Sequence, residues 1–163
     1  MAKRNQAGGT PATVALTRAG IPFTVHTYDH DPATSSFGLE AADALGLEPA
    51  RVFKTLFASV DRKLVVGVVP VSGQLDLKAV AAAVGGKKTT MADPADAERA
   101  SGYVLGGISP VGQKRQHPTV LDESALAFAS ICVSGGKRGM DVEIAPADLV
   151  RVTNATTARI GRS

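Results

Sequence analysis

The spacing of apolar and polar positions changes repeatedly along the chain, and each change predicts a short element. Thr10-Pro11 reads as a helix start, with a hydroxyl N-cap and proline at the first helical position. That helix carries Val14, Ala15 and Leu16 and stops at Gly20. Phe23 to Tyr28 alternates apolar with polar residues, a strand pattern, and Asp29 to Ser36 follows as a polar loop. Leu39 to Leu45 predicts a short helix closed by Gly46. Val52 to Val60 and Leu64 to Val71 flank Asp61-Arg62-Lys63, which predicts a hairpin. Leu75 to Val84 is Ala-rich and helical up to Gly85-Gly86, and Asp93-Pro94 begins another helix that ends before Gly102. Tyr103 to Leu105, Thr119 to Leu121, Ala129 to Val133 and Val142 to Ile144 are strand candidates, and Pro146 to Val152 is a final helix. No internal repeat is visible. Irregular interleaving with at least one hairpin points to a mixed α+β domain rather than a doubly wound parallel sheet.

Residues 1–10 read as a flexible N-terminal tail, 11–158 as one domain and 159–163 as a C-terminal tail. The 163 residues suffice to bury a core without metal or disulfide staples, and the single cysteine, Cys132, cannot form an internal disulfide. The basic N-terminal residues lack an apolar stretch behind them, and no run is long enough to span a bilayer, so cytoplasm and no membrane contact are the expectations. The net charge of +3 comes from the ends: without Lys3, Arg4, Arg159 and Arg162, 14 basic residues face 15 acidic ones. A globally basic nucleic-acid footprint is thereby excluded, and polyanion binding has to use local clusters such as Lys114-Arg115 and Lys137-Arg138.

Glycine is the compositional oddity. The segments Val84 to Lys88, Gly102 to Gly112 and Ser134 to Gly139 each bring glycine beside a hydroxyl or a cation. Such loops are either tight turns or places where backbone N–H groups approach an anion. None has the spacing of a Walker loop or a dinucleotide fingerprint. Lys54 interrupts the apolar stretch Val52 to Phe57; spacing alone favours a solvent-facing strand position, and a cleft position is the alternative. Asp141 and Glu143 share one face of a strand, and Asp141 is either an ion-pair partner of Lys137 or Arg138 or a functional carboxylate behind the third glycine segment. His26 and His30 lack the further ligands a zinc site needs, and Cys132 lies in an apolar run that suits a buried thiol. No nucleophile-and-base constellation is apparent, so an enzyme built on this chain would work by positioning and electrostatics.

Longer strings carry a resemblance. They are His26 to Pro32, Phe37-Gly38, Val52 to Leu56, Pro70 to Lys78, Met91 to Pro94, Gly102-Tyr103, Gly106 to Pro110 and Val133 to Asp141. In this order they resemble the YbaK/EbsC family of bacterial Cys-tRNA(Pro) deacylases, which is similar to the editing insertion domain of bacterial prolyl-tRNA synthetase. The resemblance runs over residues 11–158; the first ten residues are an extension outside it.

The resemblance implies a mixed, barrel-like β-sheet core surrounded by helices, and a reaction. A synthetase pocket discriminates weakly against an amino acid of similar size, so cysteine loaded on tRNA(Pro) has to be removed at a second, hydrolytic site. In the mechanism proposed for the family the substrate thiol attacks its own ester and leaves as a cyclic thiolactone, and no cofactor or metal is required. Carried over by position, Lys54 is the essential lysine and holds the tRNA 3′ end. Tyr28, Phe37, Thr55, Gly106, Ser134 and Asp141 are substrate-binding positions, with Tyr28 and Phe37 as aromatic walls and Asp141 facing the α-amine. Cys132 matches no functional position. The implied partners are the aminoacylated acceptor end and, in a weak complex, prolyl-tRNA synthetase; a monomer is expected. A deacylase for another mischarged aminoacyl-tRNA and a non-catalytic module that binds a nucleotide or tRNA end stand as alternatives, and a metal or cysteine hydrolase as a third.

Overall fold

The computed structural model describes residues 9–163, so most of the expected N-terminal tail lies outside the described residues. The first helix, α1 (Pro11–Arg18), starts as its sequence dictates: the Thr10 hydroxyl accepts the Thr13 N–H. After β1 (Thr24–Thr27) and a polar loop comes α2 (Phe37–Leu45), ended by Gly46 in the left-handed conformation. The hairpin β2 (Phe53–Val60) and β3 (Lys63–Pro70) turns on Asp61 and Arg62, both at positive φ, which matches the twist of the flanking strands.

The chain continues through β4 (Gln74–Leu75), α3 (Leu77–Ala83), β5 (Thr89–Met91), α4 (Pro94–Ser101) and β6 (Thr119–Asp122). It closes with β7 (Ile131–Lys137), β8 (Met140–Ile144), α5 (Pro146–Thr153), β9 (Thr156–Ala158) and β10 (Gly161–Arg162).

These strands form a five-stranded mixed sheet in the order β5-β2-β3-β6-β9, a three-stranded antiparallel sheet β1-β8-β7, and the pair β10-β4. The expected α+β class is realised, with a β core and helices around it. The two larger sheets meet at a parallel bridge between Val52 and Cys132. The main core lies between them: Phe53, Phe57, Val66 and Val68 of one sheet pack with Ile131, Val133, Val142 and Ile144 of the other. The opposite face of the hairpin, with Ala58, Val65 and Val69, is covered by Val80, Ala81 and Ile160. Burial on both faces explains why β2 and β3 read as nearly continuous apolar runs.

Two expectations differ from the structure. Tyr103 to Leu105 is not a strand. Tyr103 is buried, and its hydroxyl donates to the Val111 carbonyl at 2.6 Å, so its ring supports the loop 102–112 from inside. Residues 159–163 are not a loose tail: Ile160 is fully buried, and the Asp122 carboxylate accepts the N–H groups of Ile160 and Gly161 at 2.9 and 2.8 Å. Among the described residues no helix is long and apolar enough to cross a membrane.

Candidate active site

Strand β5 pairs only with Ala58 to Val60, next to the turn of the β2–β3 hairpin, and does not reach its open end. The β2 edge from Lys54 to Leu56 therefore has β3 on one side and a cavity of about 370 Å³ on the other. Tyr28, Phe37, Lys54, Thr55, Gly106, Ser134 and Asp141, the positions named from the sequence, all line this cavity. They come from the residue that follows β1, from α2, β2, the 102–112 loop and the β7–β8 hairpin.

The β1-β8-β7 sheet forms one wall. Opposite partners in an antiparallel ladder share a face. Asp141 is opposite both His26 on β1 and Ser134 on β7, so these polar side chains stand on the face away from Val133 and Val142. After Ser134 the register shifts by the insertion of Gly135 and Gly136, and the Ser134 hydroxyl accepts the Gly136 N–H at 3.2 Å.

The 102–112 loop closes another side, and glycine is required there at two neighbouring positions. Gly106 has φ of +82°, and a Cβ on it would lie 2.5 Å from the Phe37 ring. A Cβ on Gly107 would lie 2.7 Å from Cα of Lys137. The loop is therefore wedged between the first turn of α2 and the β7–β8 turn, and only residues without side chains fit both contacts.

The charges in the cavity are unpaired. Asp141 is 5% exposed, and no lysine, arginine or histidine lies within ion-pair distance of its carboxylate among the described residues. Burial pushes its pKa up to about 7. The ion pair with Lys137 or Arg138, one of the two readings of Asp141, is not formed; Arg138 turns instead to the Leu105 carbonyl. Lys54 is half-buried rather than solvent-facing, and burial lowers its pKa. The Thr55 hydroxyl is buried without a hydrogen-bond partner among the described residues. Burial, with Asp141 and Glu40 nearby, raises the Tyr28 phenol to about 12, so it remains protonated as a donor. A buried carboxylate, a half-buried ammonium and the Thr55 hydroxyl thus line one cavity without satisfying one another, as the polar groups of a binding site do.

Neighbouring residues hold the walls. His30 bonds Glu40 at 2.8 Å, Glu40 accepts the Asp31 N–H at 2.8 Å, and the His30 ring lies 5.6 Å from Phe37. His26 does not converge with His30; its Nε2 bonds Glu143 at 2.8 Å. Cys132, His26 and Glu143 place their donor atoms within 4.8 Å of one another, a proximity that strand register creates and sequence spacing conceals. Glu143 is held there by Ser130 and Arg51, so the cluster is an internally satisfied polar network. Cys132 itself is fully buried, and burial together with Asp141 and Glu143 pushes its thiol up to about 12, the opposite of an activated nucleophile.

The model of the family "Aminoacyl-tRNA editing domain" matches residues 31–152. The chain is 40% identical over 166 aligned residues to the Enterococcus faecalis protein "Putative Cys-tRNA(Pro)/Cys-tRNA(Cys) deacylase EbsC", covering 98% of each. A solved structure described as a "putative trans-editing enzyme for prolyl tRNA synthetase" superposes with a TM-score of 0.81 at 27% identity, over 94% of this chain and 96% of that one. Another, of a hypothetical protein, gives a TM-score of 0.84 at 22% identity over 93% and 99%, a likeness of fold. The chain belongs to the aminoacyl-tRNA editing family, as a member of its YbaK/EbsC branch.

Proposed function

We propose that the protein is a trans-editing deacylase that cleaves the ester of Cys-tRNA(Pro), and of Cys-tRNA(Cys) as the name of its relative includes. The observation that carries this reading is a buried carboxylate and a half-buried ammonium in one cavity, neither with an ion-pair partner among the described residues. An aminoacyl ester on a tRNA end offers the complement, a cationic α-amine beside an anionic sugar-phosphate. Asp141 receives the α-ammonium. Lys54 holds the ribose or phosphate of the 3′ end and keeps the ester in place. Tyr28 and Phe37 wall the aminoacyl group, and Thr55, Ser134 and the backbone at Gly106 face the carbonyl oxygen, where negative charge develops.

The substrate supplies the nucleophile. Its thiol sulfur bonds to the ester carbonyl carbon, the carbon–oxygen bond to the ribose breaks, and the thiol proton ends on the departing 3′-oxygen. The products are a cyclic thiolactone, later opened by water, and uncharged tRNA. The protein contributes orientation and electrostatic stabilisation.

The near-neutral body gives few phosphate contacts, so tRNA identity is read weakly. Prolyl-tRNA synthetase, bound weakly by a monomer in the cytoplasm, supplies that identity. Ester loss from matched Cys-tRNA(Pro) and Ala-tRNA(Pro), with and without the synthetase, tests the reading. The expected result is release of cysteine and retention of alanine, with the synthetase restoring tRNA preference at low salt. Release of both amino acids replaces the thiol route with water attack. Release of neither overturns the enzymatic reading.

A further inference from the structure

The β7–β8 turn carries a cation whose own contacts do not use it up. Arg138 donates from Nε to the Leu105 carbonyl at 2.7 Å, and its guanidinium carbon lies 5.1 Å from the centre of the Phe37 ring. Leu105 and Phe37 both line the cavity, so the guanidinium is pinned on its rim. The wedge of Gly107 against Lys137 fixes the turn that bears it. Arg99, Arg151 and Arg51 are each paired with a carboxylate, whereas Arg138 has none within ion-pair distance among the described residues. Asp141, three positions on, faces the cavity instead. Among the described residues the terminal nitrogens of Arg138 make no hydrogen bond and no ion pair. A guanidinium stacked on a ring and anchored at Nε presents a fixed fork that matches two oxygens of a phosphate.

We propose that Arg138 forms a phosphodiester subsite at the cavity rim, taking the phosphate 5′ to the terminal nucleoside of the substrate. The assignment rests on the reading of the cavity as an aminoacyl-ester site. In a 3′-aminoacyl nucleotide the ester and the 5′-phosphate stand on opposite sides of one ribose. An ester deep in the cavity thus places that phosphate at its mouth. Lys54, which lines the cavity itself, is left to the ribose and the ester.

The alternative role for Arg138 is a latch that only closes the loop on the hairpin turn. Kinetics on two substrates separate the roles: Cys-tRNA(Pro), and 3′-cysteinyl-adenosine without a 5′-phosphate. With Arg138→Ala, KM for the tRNA rises about 10–30-fold, kcat stays within about twofold, and the unphosphorylated ester is cleaved as before. The slope of log KM against log salt falls by about one. Arg138→Lys, which keeps charge without the fork, falls between. Equal losses on both substrates, or none on either, overturn the subsite.

A binding measurement stands apart from turnover. Adenosine 5′-monophosphate binds the wild type more tightly than adenosine by chemical-shift titration, and Arg138→Ala removes the difference. If that preference holds while no ester is cleaved by the wild type, the deacylase reading fails and the phosphate subsite stands.

Discussion

Replacement of Lys54 by alanine lowers kcat/KM for release of cysteine from Cys-tRNA(Pro) by about 10²–10³-fold, the usual loss for one preorganised donor at a site of developing charge. Protein stability is left unchanged or slightly raised. The two expectations come from one observation. Lys54 is half-buried on the β2 edge, its ammonium is destabilised by that burial, and no carboxylate among the described residues lies within ion-pair distance of it. A cation kept in such a place serves something outside the fold. Truncation removes the desolvation of the charge and opens no cavity in the closed core, because the side chain borders a cavity already present. Lys54→Arg keeps the charge but brings a longer, planar head into a narrow wall and does not restore the rate. Single-turnover ester loss and thermal unfolding of the same preparations check the pair. Retained activity removes Lys54 from the site. A large fall in thermal midpoint makes it a structural residue.

The elements that local chemistry determines were legible in the sequence. Thr10-Pro11, Gly46, Asp93-Pro94 and the Asp61-Arg62 turn signal their own geometry, and helices and hairpin lie where they point. The strands Thr89–Met91, Thr156–Ala158 and Gly161–Arg162 were not, because each is two or three mostly polar or small residues at a sheet edge and is defined by a distant partner. Tyr103 to Leu105 misled for the opposite reason: Tyr103 and Leu105 pack on the core beneath a loop, while Val104 between them is exposed. The candidate site shows the same division. Its residues were named from motif resemblance, and the structure collects them around one cavity. Spacing alone placed Lys54 toward solvent, since a strand pattern cannot show that the neighbouring strand stops at Ala58. Nor did it distinguish a paired from an unpaired Asp141. That depended on Arg138 finding the Leu105 carbonyl and the Phe37 ring, contacts made across 33 and 101 residues of chain.

Asp141 is where stability and activity oppose each other. Burial pushes its carboxyl up to about 7 in the folded protein, while in the unfolded chain it titrates near the ordinary value of 3.8. Between these values the native state holds a proton that the unfolded state has lost, so stability falls as pH rises through that window. Above about pH 7 the protein carries a buried, uncompensated anion. Asp141→Asn removes that charge with little change in shape. Near pH 4, where Asp141 is protonated in the folded state, wild type and variant have similar thermal midpoints. At pH 8 the variant is more stable by about 1–3 kcal/mol, or roughly 2–12 °C for a domain of this size. Activity moves the other way. The amide cannot hold the substrate's α-ammonium as a charge partner, and kcat/KM falls about 10²-fold at pH 8. The wild-type profile of kcat/KM rises through the Asp141 titration as the free enzyme gains its anion, and the Asn variant loses that component, leaving only the titration of the substrate amine. Unfolding curves at pH 4 and 8, with pH profiles for both proteins, read all of these. A variant destabilised at pH 8 shows that Asp141 holds the fold through bonds of its own, and a variant with the wild-type profile shows that the carboxylate does not meet the substrate.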